Sequence, residues 1–349
     1  MITPIKTGLC SFGSSGEVFH APLISCSEGF ELHAVVERHS DRAIAKYPSI
    51  KHYKDVQELF DDPELELIVV NTPNNTHFDF AARALKAGKH VLIEKPFSNS
   101  VEEGNELINL AKVRHKVLTV FHNRRWDGDF KIIKEVIDNG VLGRLVDAEF
   151  RFERYRRTLN VKKHKELIGP GSGLLYELGT HIFDQALVLF GKPETVFADI
   201  RTTRDNSLID DYFDVLFFYP RFRLRLRSSM LVKEEGPGYV LNGTMGSFRK
   251  NRMNLQEDSL KAGMLPTDEG YGIEPKKQWG LLNAEINGKQ VRKHLKTPPS
   301  NYMDFYNALY ESIREGKKAP IEPQDALLGI ELIEACYQSQ HEKRIIAIR

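Results

Sequence analysis

Cysteine is scarce, with three in 349 residues, and Cys10, Cys26 and Cys336 show no pairing of the kind a metal knuckle or disulfide framework requires. An odd, sparse count fits a reducing compartment. Charge of one sign is equally lacking. Lysine and arginine number 49 against 48 acidic residues, so the formal net charge is +1. No global field then draws the chain to nucleic acid or to an anionic membrane surface. No apolar run approaches the roughly 20 residues that span a bilayer. The start, Met1 to Lys6, leads into a strand with no apolar signal core. Internal repeats and low-complexity segments are absent. These absences together predict a cytoplasmic protein that binds neither membrane nor nucleic acid.

What is present is ordinary globular composition, 41% hydrophobic and 28% charged, in a chain long enough for two domains. In the first third, apolar strand-like runs alternate with helical segments six times, which predicts an α/β fold with a doubly wound parallel sheet. The first domain is expected over residues 1–121. Its first strand, Ile5 to Cys10, opens onto Ser11-Phe12-Gly13-Ser14-Ser15-Gly16 and then a helix. This is the place of the dinucleotide fingerprint G-x-G-x-x-G, with Ser11 standing where the first glycine belongs. Gly13 would let the backbone approach a pyrophosphate, Gly16 would let the helix pack on its strand, and Ser14 and Ser15 would offer amides to the phosphates.

The second strand ends at Glu37-Arg38-His39-Ser40, just over 20 residues beyond Gly16, where the ribose-reading residue belongs. An acidic residue there favours NAD. A neighbouring arginine accommodates the extra phosphate of NADP, and Arg38, with His39 and Ser40 beside it, favours NADP. The loop Thr72-Pro73-Asn74-Asn75-Thr76-His77 follows another strand and opens a helix that Asn74 or Thr76 would cap. Thr72, Pro73, Asn74 and His77 are therefore candidates to lie beside a nicotinamide or ribose. Val91 to Ile93 form a short buried strand that ends at Glu94-Lys95-Pro96. The proline stops the strand and presents Lys95 at its carboxyl end, where open α/β sheets bind ligands.

The second domain is expected over residues 122–349, with its last two helices packing back on the first. His122-Asn123-Arg124-Arg125-Trp126-Asp127 brings polar and aromatic groups to a strand end, so Asn123, Arg124 and Trp126 are substrate candidates. Arg151 and Arg157 read as residues of an exposed sheet face. Arg154 and Tyr155 are pocket candidates near a strand's end. Glu177 and His181 are four apart and share a helix face, with Asp184 one turn further. A histidine oriented by a carboxylate suits proton transfer near neutral pH. A metal reading of Glu177, His181 and Asp184 is weaker, because neither an H-E-x-x-H pair nor a cysteine cluster accompanies it, and no metal is expected. From Thr195 to about Ser247 alternation and turns predict antiparallel strands with one polar face. Residues from about 251 to 280 read as loop-rich.

The degenerate glycine turn, Thr72-Pro73 with His77, Ala87-Gly88-Lys89-His90-Val91, Glu94-Lys95-Pro96, and Gly179-Thr180-His181 with Asp184 resemble the Gfo/Idh/MocA family of nicotinamide-dependent sugar and polyol oxidoreductases. The resemblance covers essentially the whole chain. His122 to Asp127, Arg154-Tyr155-Arg156 and Leu175-Tyr176-Glu177 look like a subgroup that includes NADP-dependent scyllo-inositol dehydrogenases. The resemblance implies a Rossmann domain, a second α/β domain with an open-faced, mostly antiparallel sheet, NADP (or NAD) as cofactor and a homodimer or homotetramer. It implies that Lys95 hydrogen-bonds the reacting hydroxyl of a polyol or sugar, that His181 passes the proton, and that the carboxylate of Glu177 supports both. A cis bond before Pro96 is also implied. Two departures stand out: Ser11 for a glycine, and Glu177 for the usual aspartate. Two competing functions share the pattern, namely a glycosidase using tightly held NAD for transient oxidation, and a non-catalytic sugar or nucleotide sensor.

Overall fold

The computed structural model describes residues 2–161 and 166–348. They form two compact units. One contains the residues up to Trp126 with Leu255–Gly272 and Asn301–Leu327, and the other contains Asp127–Asn254, Ile273–Ser300 and Leu328 onward.

The first unit holds six strands, β1 (Ile5–Leu9), β2 (Phe30–Val36), β3 (Lys51–Tyr53), β4 (Leu67–Val70), β5 (His90–Ile93) and β6 (Leu118–Val120). They run parallel in the order β3-β2-β1-β4-β5-β6. The strand order reverses between β1 and β4, which opens a crevice at their carboxyl ends. All four residues of β4 are fully buried, as both faces of a helix-covered parallel sheet require. Local signals set the helix ends. Asp55 accepts the Gln57 amide (2.7 Å) at the start of helix Val56–Asp61, while Glu58 accepts the Asp55 amide (3.0 Å). Gly88, at φ +79°, ends helix His77–Lys86. Thr76 precedes that helix without capping it, because its hydroxyl bonds Pro73 O (2.7 Å) and the Thr72 hydroxyl (2.6 Å) instead.

Aromatic packing explains why later segments join this unit. On helix Met303–Glu315, Phe305 lies 5.0 Å from Phe121 and Tyr306 lies 5.4 Å from Phe30, ring centre to ring centre. Arg314 adds two bonds to Glu66, at 2.6 and 2.8 Å.

The second unit is built on nine strands, β7 (Leu145–Arg151), β8 (Thr195–Arg201), β9 (Tyr212–Phe218), β10 (Arg223–Ser229), β11 (Tyr239–Gly243), β12 (Gly246–Lys250), β13 (Gly280–Ile286), β14 (Lys289–Leu295) and β15 (Ile346–Ala347). Their order is β14-β13-β12-β11-β7-β10-β9-β8-β15, antiparallel except for β7 beside β10. Alternation is clean: Phe213, Val215, Phe217, Leu224 and Leu226 are fully buried, while the opposite face carries charge. There Arg225 pairs with Asp214 (2.8 Å) and Arg151 with Glu149 (2.8 Å).

Residues 251–280 are loop-rich but include one short helix, Leu255–Lys261. The hairpin β13–β14 was not anticipated. Its turn is Asn287-Gly288, at φ +52° and +73°, and that dipeptide between two alternating runs was the signal to read.

Candidate active site

The glycine turn sits between β1 and a helix whose second turn, Gly16–His20, is π-helical, with the Ala21 amide closing on Gly16 O. A Cβ at Gly16 would lie 2.4 Å from Ser11 O and 2.9 Å from Asn71 Nδ2, so only glycine fits. At Gly13 a Cβ would meet only Ser11 Oγ, at 3.3 Å, and its other side is open. Ser11 compensates for the missing first glycine. Its hydroxyl accepts the Gly13 amide (3.1 Å), and Asn71 brackets its backbone, accepting Ser11 N–H (3.0 Å) and donating to Ser11 O (2.8 Å). Ser14 and Ser15 stand at the start of this helix, whose positive end favours an anion. An open Gly13 face beside that end fits a pyrophosphate. Phe12 turns inward, edge-on to Tyr47 at 6.2 Å, and its carbonyl accepts from Arg42 (2.8 Å).

At the end of β2, Glu37 is buried. One of its oxygens meets the Ser40 hydroxyl and lies 3.5 Å from Arg42 Nε, and the other accepts the Ala43 amide at 2.9 Å. Both oxygens are thus engaged within the loop, while Arg38 and His39 are exposed.

At the end of β5, the Lys95-Pro96 bond is cis. His77 braces this turn from within: Nδ1 lies 2.9 Å from Pro96 O and Nε2 lies 3.0 Å from Thr72 O. The ring therefore ties the Thr72-Pro73 loop to the Lys95 turn instead of facing outward. Burial holds the His77 pKa below its ordinary value, against the opposing pull of those two carbonyls. Glu94 accepts Lys95's own amide (3.1 Å) on one oxygen and meets His20 Nε2 (3.0 Å) with the other. Burial pushes the Glu94 carboxyl up, but the His20 bond and the nearby Lys95 charge outweigh it, so it lies below the usual range. His20 in turn meets the Tyr306 hydroxyl at Nδ1 (2.7 Å). After β6, Asn123 and Arg124 are buried. Arg124 pairs with Glu257 (2.7 Å), and Trp126 packs edge-on to Phe305 at 5.3 Å.

In the second unit, Glu177 lies in the π-helical turn Leu175–Gly179, which continues into helix Thr180–Phe190 carrying His181 and Asp184. Glu177 is exposed, while His181 and Asp184 are buried. Asp210 anchors the start of this helix, accepting the Leu175 amide (2.9 Å) and the Tyr337 hydroxyl (2.8 Å). Burial pushes its carboxyl pKa up. Gly173, at φ +98°, admits Asp210: a Cβ there would lie 2.0 Å from Oδ1. Glu177 lines an open cavity of about 450 Å³, mouth included, with Arg154, Arg156, Arg204, Asp210 and Met230 among its walls.

Tyr155 is not among those wall residues. It bridges Leu231 and is 48% exposed, beneath Lys233. Side chains alternate along an extended segment, so Arg154 and Arg156 face one side and Tyr155 the other. Sequence reasoning missed Asn71, Arg42, His20, Tyr306 and Asp210. Only Asn71 carried a local signal, a polar residue ending a fully apolar strand.

Among the described residues, one cluster, His33, Asp62 and Glu64, is tight enough for a metal ion. Lys51 already occupies it, 3.0 Å from Asp62 and 2.6 Å from Glu64.

Two family models divide the chain between them. Residues 5–122 match the NAD-binding Rossmann fold of the Gfo/Idh/MocA oxidoreductases, and residues 134–348 match their C-terminal alpha/beta domain. The chain belongs to the Gfo/Idh/MocA oxidoreductase family. It is 36% identical over 344 residues to the oxidoreductase YdgJ of Escherichia coli, covering 99% of each chain. It is 34% identical over 347 residues to the scyllo-inositol 2-dehydrogenase (NADP(+)) IolW of Bacillus subtilis, covering 99% of this chain and 97% of that one. The solved structure of the oxidoreductase yvaA from Bacillus subtilis superposes with a TM-score of 0.95 at 32% identity, over 100% of this chain and 99% of that one. Among the described residues, no helix of this family member is long and apolar enough to cross a membrane.

Proposed function

We propose that the protein is an NADP-preferring dehydrogenase acting on a secondary alcohol of a polyol, inositol or sugar. The observation that carries this is the Lys95 turn at the carboxyl end of β5, held from below by Glu94 and His77. The naming of a full-length relative as an NADP-dependent inositol dehydrogenase supports the substrate class and the cofactor. Preference for NADP is further supported by Glu37. Its oxygens serve Ser40, Arg42 and Ala43, which leaves exposed Arg38, with His39, to meet a 2′-phosphate. Gly13, Ser14, Ser15 and Gly16 would hold the pyrophosphate, and Thr72, Pro73 and Asn74 the nicotinamide half. When bound, the dinucleotide supplies the hydride acceptor or donor.

The chain's own residues handle the oxygen and its proton. The Lys95 ammonium stabilises charge developing on the substrate oxygen. His181 takes the hydroxyl proton during oxidation and returns it during reduction. Glu177, which lines the cavity as Arg154 does, binds substrate hydroxyls and supports the histidine. The open face of the nine-stranded sheet is the proposed contact in a homodimer or homotetramer.

The test is a panel of polyols, inositols and sugars run with NADP and NAD in parallel, reading absorbance of the reduced cofactor. Lys95→Ala should lower kcat by ~100-fold or more, the scale of losing one charge-stabilising group. Full activity in that variant would sink the assignment.

A further inference from the structure

We propose that His20 is a positioning residue, the centre of a buried Tyr306–His20–Glu94 chain that holds Lys95 in its working orientation. This rests on the catalytic role proposed above for Lys95. His20 is fully buried, and its two nitrogens have different partners: Glu94 Oε1 at 3.0 Å from Nε2, and the Tyr306 hydroxyl at 2.7 Å from Nδ1.

The hydrogens can be assigned from chemistry. A carboxylate whose pKa is held low only accepts, so Nε2 carries the proton. The bare Nδ1 of the neutral ring then accepts, and the Tyr306 hydroxyl donates. Burial keeps that phenol protonated by raising its pKa well above the ordinary value. With that tautomer every polar hydrogen in the chain is used once. A histidine serving only as packing needs neither a carboxylate nor a fixed tautomer.

The chain ends on the backbone it is proposed to control. Glu94 Oε2 accepts the amide of Lys95 itself, so the carboxylate that His20 immobilises fixes the residue from which the ammonium departs. Its other end is fixed by tertiary packing. Tyr306 lies edge-on to Phe30, and Phe121 lies 4.6 Å from the His20 ring. The π-helical turn matters here. Because the Ala21 amide closes on Gly16 O, one extra residue fits into the turn that begins at Gly16 and ends at His20. The helix that follows the glycine turn is thereby bonded directly to the Lys95 turn.

The experiment combines nitrogen-15 histidine NMR of the cofactor-free full chain with steady-state kinetics. At pH 7.5 the His20 signal is expected to be that of the neutral Nε2–H tautomer, and a cationic ring or an Nδ1–H tautomer would overturn the chain. His20→Ala should lower kcat by ~10- to 100-fold, the scale of a displaced catalytic group, with the KM for NADP within about threefold. His20→Gln, whose amide nitrogen replaces Nε2–H, should recover most of that loss. Tyr306→Phe, which removes one hydroxyl, serves where His20→Ala does not fold, and its kcat should fall by ~3- to 10-fold at unchanged KM. Variants that keep wild-type kcat, or a glutamine no better than alanine, would overturn the positioning role. A wild type inactive on every alcohol would refute the functional reading instead, and the NMR tautomer separates that failure from failure of the chain.

Discussion

Restoring the missing fingerprint glycine should weaken this protein. In Ser11→Gly the hydroxyl that accepts the Gly13 amide at 3.1 Å is lost. One such bond contributes about 0.5–1.5 kcal/mol. Ser11 is not at positive φ, so glycine gains nothing from its conformational freedom and costs a further ~0.4–1 kcal/mol through the unfolded chain. The expected destabilisation is therefore about 1–2.5 kcal/mol for Ser11→Gly and ~0.5–1.5 kcal/mol for Ser11→Ala, which loses only the hydroxyl. Urea unfolding of the cofactor-free protein reads both. Because the same bond shapes the turn, fluorescence titration with NADPH should show affinity reduced by about fivefold, the equivalent of ~1 kcal/mol. Glycine as stable as serine, or binding cofactor more tightly, would refute the claim that Ser11 replaces the glycine by bonding Gly13.

Arg38→Ala should raise the KM for NADP by ~10-fold or more and leave NAD turnover nearly unchanged, read by the two cofactors in parallel assays. Gly173→Ala forces a Cβ to within 2.0 Å of Asp210 Oδ1 at a φ of +98°, so it should cost ~3 kcal/mol or more in thermal or urea unfolding and degrade activity through the Glu177–His181 helix. Burial and the nearby Lys116 charge push His90 down to about 4, and its Nδ1 accepts the Val117 amide at 2.9 Å. Above about pH 6.5 the ring is neutral in both folded and unfolded chains. As pH falls from there to about 4, only the unfolded chain takes up the proton, so stability drops by up to ~3 kcal/mol across that window. His90→Asn keeps an acceptor and cannot titrate; its urea midpoint should fall less over the same window, and an identical pH profile would contradict the assignment.

The parts of the site that were legible in the sequence are those that depend on neighbours along the chain. Gly13 and Gly16 announce a turn, and at Gly16 a side chain has no room. The apolar run Val91 to Ile93 closed by Pro96 announces where Lys95 emerges. Alternation through Arg223, Arg225 and Arg227 announces one polar sheet face, and Arg225 does pair across it with Asp214. Adjacent residues of an extended backbone, such as Arg154 and Tyr155, go to opposite sides.

What supports the site was not legible, because each support joins distant positions. Ser11 and Asn71 are 60 residues apart, Leu175 and Asp210 are 35 apart, and His20 and Tyr306 are 286 apart. Arg124 pairs with Glu257, 133 residues away, which no local pattern shows. The sequence by itself determined strand and helix periodicity, the turn chemistry and the family, since these follow from local sterics and the spacing of apolar residues. Only the tertiary structure decided that Glu37 is engaged within its own loop, that His77 faces two carbonyls, and that Lys95 stands on a Tyr306–His20–Glu94 chain. Those choices depend on which polar groups become buried together, and burial is a property of the packed chain.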